Sequence, residues 1–221
     1  MLAVVFDMDG VIFDTEALCR RAWFACSGKY GIKDVDSLLI PCIGGNRNRM
    51  VEVFENALGK DFPTMEFLED TRCMIRKYGE EEGIPVKKGA RELLAWLKQQ
   101  NAIVGLASST SYETVVQQLK DAGLLDFFQA IVGGDQIAKS KPDPEIYHEA
   151  SQKLGIHPAD AYAVEDSYNG VRSASSAGMK TIMVPDLLPP TEDMETLTYR
   201  ILPDLFLVRD LLQEENRQKQ M

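Results

Sequence analysis

The feature that most constrains the fold of this chain is an alternation of short apolar runs with helical patterns. The runs are rich in β-branched residues and cover positions 2–6, 102–107, 130–132, 161–164 and 181–184. Near-continuous apolar runs of this length are typical of parallel strands buried on both faces. Helical patterns lie between or beside them, at positions 89–100, 112–122, 143–155 and 167–177. This alternation predicts an α/β fold with a doubly wound, Rossmann-like parallel sheet.

Local signals indicate where some of these elements begin and end. Asp143 is expected to be the N-cap of the third of these helices, with Pro144 at its first helical position and a glycine at its end. Gly123 and Gly178 are expected to stop two further helices. The polar C-terminal segment EENRQKQM is expected to fray.

Residues 15–82 depart from the alternating pattern, because they contain no convincing strand. Their apolar positions repeat at helical spacing, as at Trp23, Val51, Val53, Phe54, Leu58, Phe67 and Met74. The economical interpretation is an all-helical domain at 15–82, inserted into an α/β core formed by 1–14 and 83–221.

Charge and composition narrow the classes of partner. The formal net charge of -10 at pH 7 argues against nucleic acid or an anionic membrane as the main partner. A negatively charged substrate would need a local cation at its site. We find no signal peptide and no apolar stretch of bilayer length, so we expect a cytoplasmic protein. The four cysteines form no CxxC pair and are expected to be reduced, structural thiols.

Acidic pairs follow the first and fourth predicted strands. Asp7 and Asp9 come directly after the first, and Glu165 and Asp166 after the fourth. The carboxyl ends of parallel strands meet at one edge of the sheet, where ligands bind. Adjacent carboxylates repel each other, and with no histidine or cysteine nearby a hard divalent ion such as Mg²⁺ suits them. Each pair taken alone is also typical of ordinary helix N-caps.

Hydroxyl groups and a lysine follow the other two strands. Ser108, Ser109 and Thr110 after the second strand resemble a phosphate cradle at a helix N-terminus, although such residues are also common N-caps. Lys141 in a loop after the third strand is able to balance phosphate and aspartate charges, although most lysines are solvated. It is the combination at four successive strand ends that indicates a site.

The segments FDMDGVIFDT, LASST, SKPDP and VEDS resemble, in order, the four motifs of the haloacid dehalogenase-like hydrolases. The resemblance implies a haloacid dehalogenase-like core, with Asp7 as nucleophile and Asp9 as general acid and base. It also implies that Ser108 and Lys141 bind the transferring phosphoryl group. Mg²⁺ would be held by Asp7, the main-chain carbonyl of Asp9 and Asp166, with Glu165 acting through water. Dehalogenation is unexpected, since dehalogenases of this superfamily lack the acid at the position of Asp9.

Within that superfamily, the chain looks like the branch of β-phosphoglucomutase and sugar-phosphate phosphatases, in which a helical cap follows the first motif. Arg47, with Arg49 as an alternative, matches the position where the mutases hold a second phosphate. Thr15 and Glu16 lie at the first expected hinge and are candidates for substrate contact; the second hinge is expected near 82–85. Cys19 stands where the mutase has a cap histidine. The only two histidines, His148 and His157, are expected to be surface residues.

The sequence therefore predicts a Mg²⁺-dependent phosphatase that acts on a small phosphorylated molecule, with sugar phosphates as the favoured class. A β-phosphoglucomutase-type enzyme is the alternative, because both activities share the first half-reaction. A phosphonate hydrolase with a Schiff-base lysine stays open through Lys29, Lys33, Lys60 and Lys77, and so does a non-catalytic binding protein. A monomer or a weak dimer is expected.

Overall fold

The structure of the protein is a computed structural model that describes residues 1–42, 47–186 and 188–220. The chain divides into two compact units. The first, which we call the α/β unit, consists of Met1–Phe13 and Val86–Met221 and holds the sheet. The second, which we call the helical unit, is Asp14–Pro85 and contains only helices and connecting segments in its described residues.

Six strands of the α/β unit form one sheet in the order β3-β2-β1-β4-β5-β6, with every neighbouring pair parallel. They are β1 (Ala3–Phe6), β2 (Ile103–Ala107), β3 (Ala130–Val132), β4 (Tyr162–Glu165), β5 (Lys180–Met183) and β6 (Arg200–Ile201). This confirms the doubly wound α/β sheet that the apolar runs predict. The sixth strand was not predicted, because its two residues are partly exposed and form no apolar run.

The strand order places β1 in the middle of the sheet, between β2 and β4. β1 is buried along its whole length and pairs with β2 on one side and β4 on the other, with Phe6 opposite Leu106 and Val164. The order of strands along the chain reverses at β1, which makes the crevice between β1 and β4 the topological switch point. In open α/β sheets this crevice, at the carboxyl ends of the strands, is where ligands bind.

The helical unit contains α1 (Thr15–Ser27), α2 (Asp36–Leu39), α3 (Arg47–Leu58) and α4 (Thr64–Glu82). Its core is an aromatic cluster in which Trp23 packs edge-on against Phe67, with ring centroids 5.1 Å apart, and against Phe54 at 5.5 Å. Such pairs contribute beyond their buried area. Among the apolar positions expected in this core, Leu58 is instead exposed, since it lies on the outer face at the end of α3.

The helices of the α/β unit lie in sequence between and after the strands. They are α5 (Ala90–Gln99), α6 (Tyr112–Asp121), α7 (Glu145–Leu154), α8 (Tyr168–Ser176), α9 (Glu192–Leu197) and α10 (Leu205–Gln220). Ser167 caps α8 by accepting a hydrogen bond from Gly170 N, 3.0 Å away. Among the described helices, none combines the length and apolarity needed to cross a bilayer.

Two expectations about helix ends are wrong. Pro144 is the N-cap of α7 rather than its first helical residue, although the Asp143 carboxylate still accepts from Glu145 N at 3.1 Å. The polar C-terminal segment does not fray in its described part, because α10 continues to Gln220. One glutamate contributes to this continuity: Glu215, in the second half of α10, accepts hydrogen bonds from Tyr162 of β4 and from Tyr199, which directly precedes β6.

The cysteines and histidines lie as expected. All four cysteines are free thiols; Cys26 and Cys42 are buried in the core of the helical unit, and Cys19 packs against it. Cys73 is exposed. Both histidines are on the surface of the α/β unit.

Candidate active site

Three carboxylates meet at the switch point between β1 and β4. Asp7 directly follows β1, Glu165 is the last residue of β4, and Asp166 comes next. The pairing of the two strands continues to this point, since Asp7 N donates to Val164 O at 2.9 Å. Carboxylate oxygens of the three residues lie within 4.8 Å of one another. The backbone register of two parallel strands thus brings together acids that are far apart in sequence.

Lys141 provides a positive charge inside this group of carboxylates. Its side chain is only 7% exposed, and its Nζ donates to Asp7 Oδ1 and Glu165 Oε1, both at 2.6 Å. A third hydrogen bond of 3.0 Å reaches the carbonyl oxygen of Ala107, the last residue of β2. All three protons of the ammonium are therefore engaged, and Lys141 joins the ends of β1, β2 and β4.

The loop that carries Lys141 is fixed by the helices that follow it. The Glu145 carboxylate, in the first turn of α7, accepts from Ala138 N at 2.8 Å and from Lys139 N at 2.9 Å. Ser173 of α8 donates to Asp143 O at 2.6 Å. Because both ends of the loop are anchored, the lysine enters the carboxylate group from a defined direction.

Burial and like charges raise the pKa values of Asp7 and Asp166. Burial raises the pKa of Asp7 to about 7; Lys141 lowers it, while Glu165 and Asp9 raise it further. Burial, followed by the charges of Glu165 and Asp7, raises the pKa of Asp166 well above its ordinary value. Burial alone would lower the pKa of Lys141, but the two carboxylates bonded to it raise the pKa overall. With all three carboxylates ionised, a single ammonium would leave an excess of negative charge, and this repulsion adds to burial in raising the pKa values of Asp7 and Asp166.

The donor set fits a hard divalent cation. All candidate ligands are carboxylate oxygens, which Mg²⁺ prefers, and a divalent ion would balance the excess charge. The carboxylate of Asp9 does not belong to this group of three carboxylates. It accepts a hydrogen bond of 3.0 Å from Thr110 Oγ1 instead. Asp9 is half-buried, with its carboxylate directed to the end of β2.

Gly10 allows the loop after β1 to approach Asp166. Its φ of +80° lies in the left-handed region, and a Cβ at this position would stand 2.1 Å from Asp166 Oδ2. Any side chain here would have to displace the carboxylate. Gly10, which directly follows Asp9, therefore has a packing role in addition to its conformational one.

We expect Gly10→Ala to lower the free energy of unfolding by more than Gly178→Ala does. Gly178 has a similar φ of +86° but no neighbouring atom within 4 Å of its Cβ position. The control thus carries only the backbone cost of about 1–2 kcal/mol, whereas Gly10→Ala also displaces Asp166. Urea unfolding of both variants provides the comparison, and equal losses would show that the close approach to Asp166 has no energetic consequence.

Ser108 and Ser109 follow β2 and lie just before a helix N-terminus. α6 begins at Tyr112, as predicted, with Ser111 as N-cap, so the candidate hydroxyl residues lie in the turn that leads into the helix. Ser108 is fully buried, and its Oγ accepts from Thr110 N at 3.1 Å, which closes a turn after β2. Ser109 is exposed.

Two candidate residues of the helical unit, Thr15 and Glu16, are partly exposed. Thr15 and Glu16 form the start of α1, where the Asp14 carboxylate accepts from Ala17 N at 3.3 Å. Glu16 and Cys19 line a pocket of about 730 Å³ within this unit, whose lining is mainly apolar. Burial raises the pKa of Cys19 to about 12, so this thiol stays protonated. The side chain of Arg47 lies outside the described part of the structure.

Three contacts were missed by the sequence reasoning. Thr110 bonds to Asp9, and Tyr147 donates to Glu165 Oε1 at 2.7 Å. Asp186 follows β5 and forms an ion pair of 2.7 Å with Lys87. Asp186 could have been predicted, because β5 is parallel to β4 and ends at the same edge of the sheet. Tyr147 could not have been predicted in this way, because a tyrosine inside an amphipathic helix is typical of an ordinary core residue.

The comparisons with known proteins agree with this architecture. Residues 4–184 match the family described as haloacid dehalogenase-like hydrolase. Hexitol phosphatase B of Escherichia coli (strain K12) is 32% identical over 187 residues, which cover 84% of this chain and 84% of that protein. The β-phosphoglucomutase of Bacillus subtilis (strain 168) is 33% identical over 193 residues, which cover 83% of each.

A solved structure adds a bound ligand. CbbY from Rhodobacter sphaeroides in complex with phosphate superposes with a TM-score of 0.67 at 26% identity, over 93% of this chain and 95% of that chain. The sheet order and the carboxylate cluster at its switch point define an enzyme of the α/β class. The chain belongs to the haloacid dehalogenase-like hydrolase family, as its four motifs indicate.

Proposed function

We propose that the protein is a Mg²⁺-dependent phosphatase of small phosphorylated metabolites, with sugar phosphates as its substrate class. The observation that carries the proposal is the buried pairing of Asp7 with Lys141 beside Asp166 and Glu165. Relatives that are named for hexitol phosphate and phosphoglucose chemistry support the substrate class.

In this proposal Asp7 is the nucleophile. Its carboxylate attacks phosphorus, a bond forms between Asp7 and phosphorus, and the bond to the leaving oxygen breaks. Phosphoryl transfer depends on positioning and charge stabilisation more than on covalent activation. Lys141, which bonds to Asp7 Oδ1, would orient the carboxylate and neutralise charge as the anionic phosphate approaches. Ser108 and Ser109, at the end of β2, would donate to phosphoryl oxygens.

Asp9 would move the proton. In its acid form it protonates the leaving oxygen, and the resulting carboxylate then accepts a proton from the water that hydrolyses the aspartyl-phosphate. The hydrogen bond from Thr110 Oγ1 fixes the carboxyl group for both steps. Orthophosphate leaves, and Asp7 and Asp9 return to their starting states.

Asp7 and Asp166 would hold the Mg²⁺, with the carbonyl oxygen of Asp9, and Glu165 would act through water. When bound, the ion supplies electrostatic stabilisation to the phosphoryl oxygens. The helical unit would serve as a cap that excludes bulk water and presents Thr15, Glu16 and Arg47 to the substrate.

Two observations favour hydrolysis over the alternatives. Cys19, a protonated and mostly buried thiol, stands at the position of the mutase cap histidine and is unsuited to proton transfer. Lys29 pairs with Asp70 at 2.5 Å, and this hydrogen bond raises its pKa, which opposes the neutral amine that a Schiff base requires.

The test is phosphate release from a panel of sugar phosphates, polyol phosphates and nucleotides. We expect release with Mg²⁺, loss of release with EDTA, and recovery when Mg²⁺ is added in excess. Mg²⁺ at about 100 times its Kd is also expected to stabilise the fold by about 2.7 kcal/mol, which a thermal melt would detect. A folded, Mg²⁺-loaded sample that releases no phosphate but converts β-glucose 1-phosphate in the presence of a bisphosphate would contradict the phosphatase and support the mutase.

A further inference from the structure

Tyr147 is a fully buried tyrosine in α7 whose hydroxyl points to the carboxylate group. Its OH donates to Glu165 Oε1 at 2.7 Å, the same oxygen that accepts from Lys141 Nζ at 2.6 Å. The Lys141 ammonium also lies 5.1 Å from the centroid of the Tyr147 ring. The side chain thus contacts both the acid and the lysine of the site.

Glu165 is surrounded by donors on every side. It is completely buried, and its Oε1 accepts from Lys141 and Tyr147. Its Oε2 accepts from the backbone N of Asp166 at 3.2 Å, the backbone N of Ser167 at 3.4 Å and Ser167 Oγ at 3.1 Å. A Cβ at Gly170 would stand 1.9 Å from its Cδ, so α8 also packs directly against it. The carboxylate has one defined position.

The hydrogen bonds of Lys141 depend on the position of the Glu165 carboxylate. Each of the three ammonium protons has one acceptor. One acceptor is the carbonyl oxygen of Ala107, which the sheet holds in place. The remaining two acceptors are Asp7 Oδ1, the proposed nucleophile, and Glu165 Oε1. A shift of the glutamate would therefore alter how Lys141 divides its charge between the two acids.

We infer that Tyr147 is a positioning residue of the reaction, acting through Glu165 to hold Lys141 against Asp7. The inference rests on the proposed function of Asp7. Without the hydroxyl, Glu165 Oε1 would keep only Lys141 as donor and would bind the ammonium more strongly. Lys141 would then stabilise Asp7 and the incoming phosphate less. Hydrogen bonds to charged groups are among the stronger ones in proteins, and their loss is felt at the partner that remains.

The matched control is Tyr162, at the opposite end of β4. It is also fully buried, and its hydroxyl donates to Glu215 Oε2 at 3.0 Å. Tyr147→Phe and Tyr162→Phe each remove one hydroxyl from a buried tyrosine that bonds to a glutamate. A purely structural role would affect the two variants alike, through stability.

The experiment measures kcat, KM and thermal stability of the full chain and both variants with Mg²⁺, on the best substrate of the panel. We expect Tyr147→Phe to lower kcat about tenfold or more, with KM within about twofold, because the hydroxyl is proposed to act on the nucleophile and not on substrate binding. Tyr162→Phe should keep both constants while losing comparable stability. In a Glu165→Gln background, Tyr147→Phe should lower kcat by clearly less than it does in the wild type.

Each outcome has a defined meaning. Unchanged kcat in Tyr147→Phe, or equal losses in the two variants, overturns the inference while the proposed function stands. A full effect of Tyr147→Phe in the Glu165→Gln background would also overturn it, since the tyrosine would not act through Glu165. Absence of phosphate release in the wild-type enzyme overturns the proposed function, and the inference with it.

Discussion

Replacing Asp7 with asparagine is expected to lower kcat for phosphate release by at least about 10⁴-fold. The amide has nearly the shape of the carboxylate, and its oxygen is still able to accept from Lys141, so the fold should persist. The amide is, however, not a nucleophile and forms no acyl phosphate. The loss should therefore appear in turnover, with little change in the circular dichroism spectrum.

The corresponding control is Asp160→Asn, which makes the same chemical change at an exposed aspartate of the α/β unit. It should leave kcat unchanged. Acid-quenched wild-type protein incubated with substrate should gain the mass of one phosphoryl group, and Asp7→Asn should not. Retention of more than about 1% of wild-type kcat in Asp7→Asn would exclude Asp7 as the nucleophile.

Lys141→Met is expected to have the largest effect on stability. Removal of the ammonium leaves Asp7 and Glu165 buried without the cation that bonds to both. Breaking a buried ion pair from one side costs about 3–5 kcal/mol. We expect a loss of this size in the free energy of unfolding, measured by urea titration in EDTA, together with a fall in kcat of about 10²–10³-fold in Mg²⁺.

Lys139→Met is the matched control, two residues earlier in the same loop. Its side chain is 72% exposed, and its ion pair with Asp143 spans 3.6 Å. Exposed pairs of this kind contribute about 0–1 kcal/mol, so little change is expected in stability or kcat. If the two variants unfolded at the same urea concentration, the buried position of Lys141 would have no energetic role.

Much of the sheet could be predicted, because parallel strands that are buried on both faces produce continuous apolar runs in the sequence. The predicted run at 130–132 coincides with β3, and the other four differ from the observed strands by about one residue. β6 lacked this signal, since its two residues, Arg200 and Ile201, are partly exposed. The extent of α10 was missed because its last turns are polar, whereas its stability depends on tertiary contacts such as those of Glu215.

The site could be predicted as a set of residues but not as a geometry. Parallel strands place Asp7 and Asp166 at one edge, which the sequence implies once the strands are assigned. The strand assignment does not imply the direction in which a long side chain leaves a loop, so the two ion pairs of Lys141 could not be predicted. The functional roles of these residues, and of Thr15, Glu16 and Arg47, stay predictions.

The central place of β1 has a consequence for synthesis of the chain on the ribosome. Phe6 is synthesised 158 residues before Val164, its partner in the sheet (164 − 6 = 158). At about 5–20 residues per second, this interval lasts roughly 8–30 s. Throughout it, the apolar segment AVVF has at least one edge without its native partner. Until β4 emerges, the nascent chain thus carries an unpaired strand edge, a feature that favours pairing with other chains, and the carboxylate cluster is completed only after that late event.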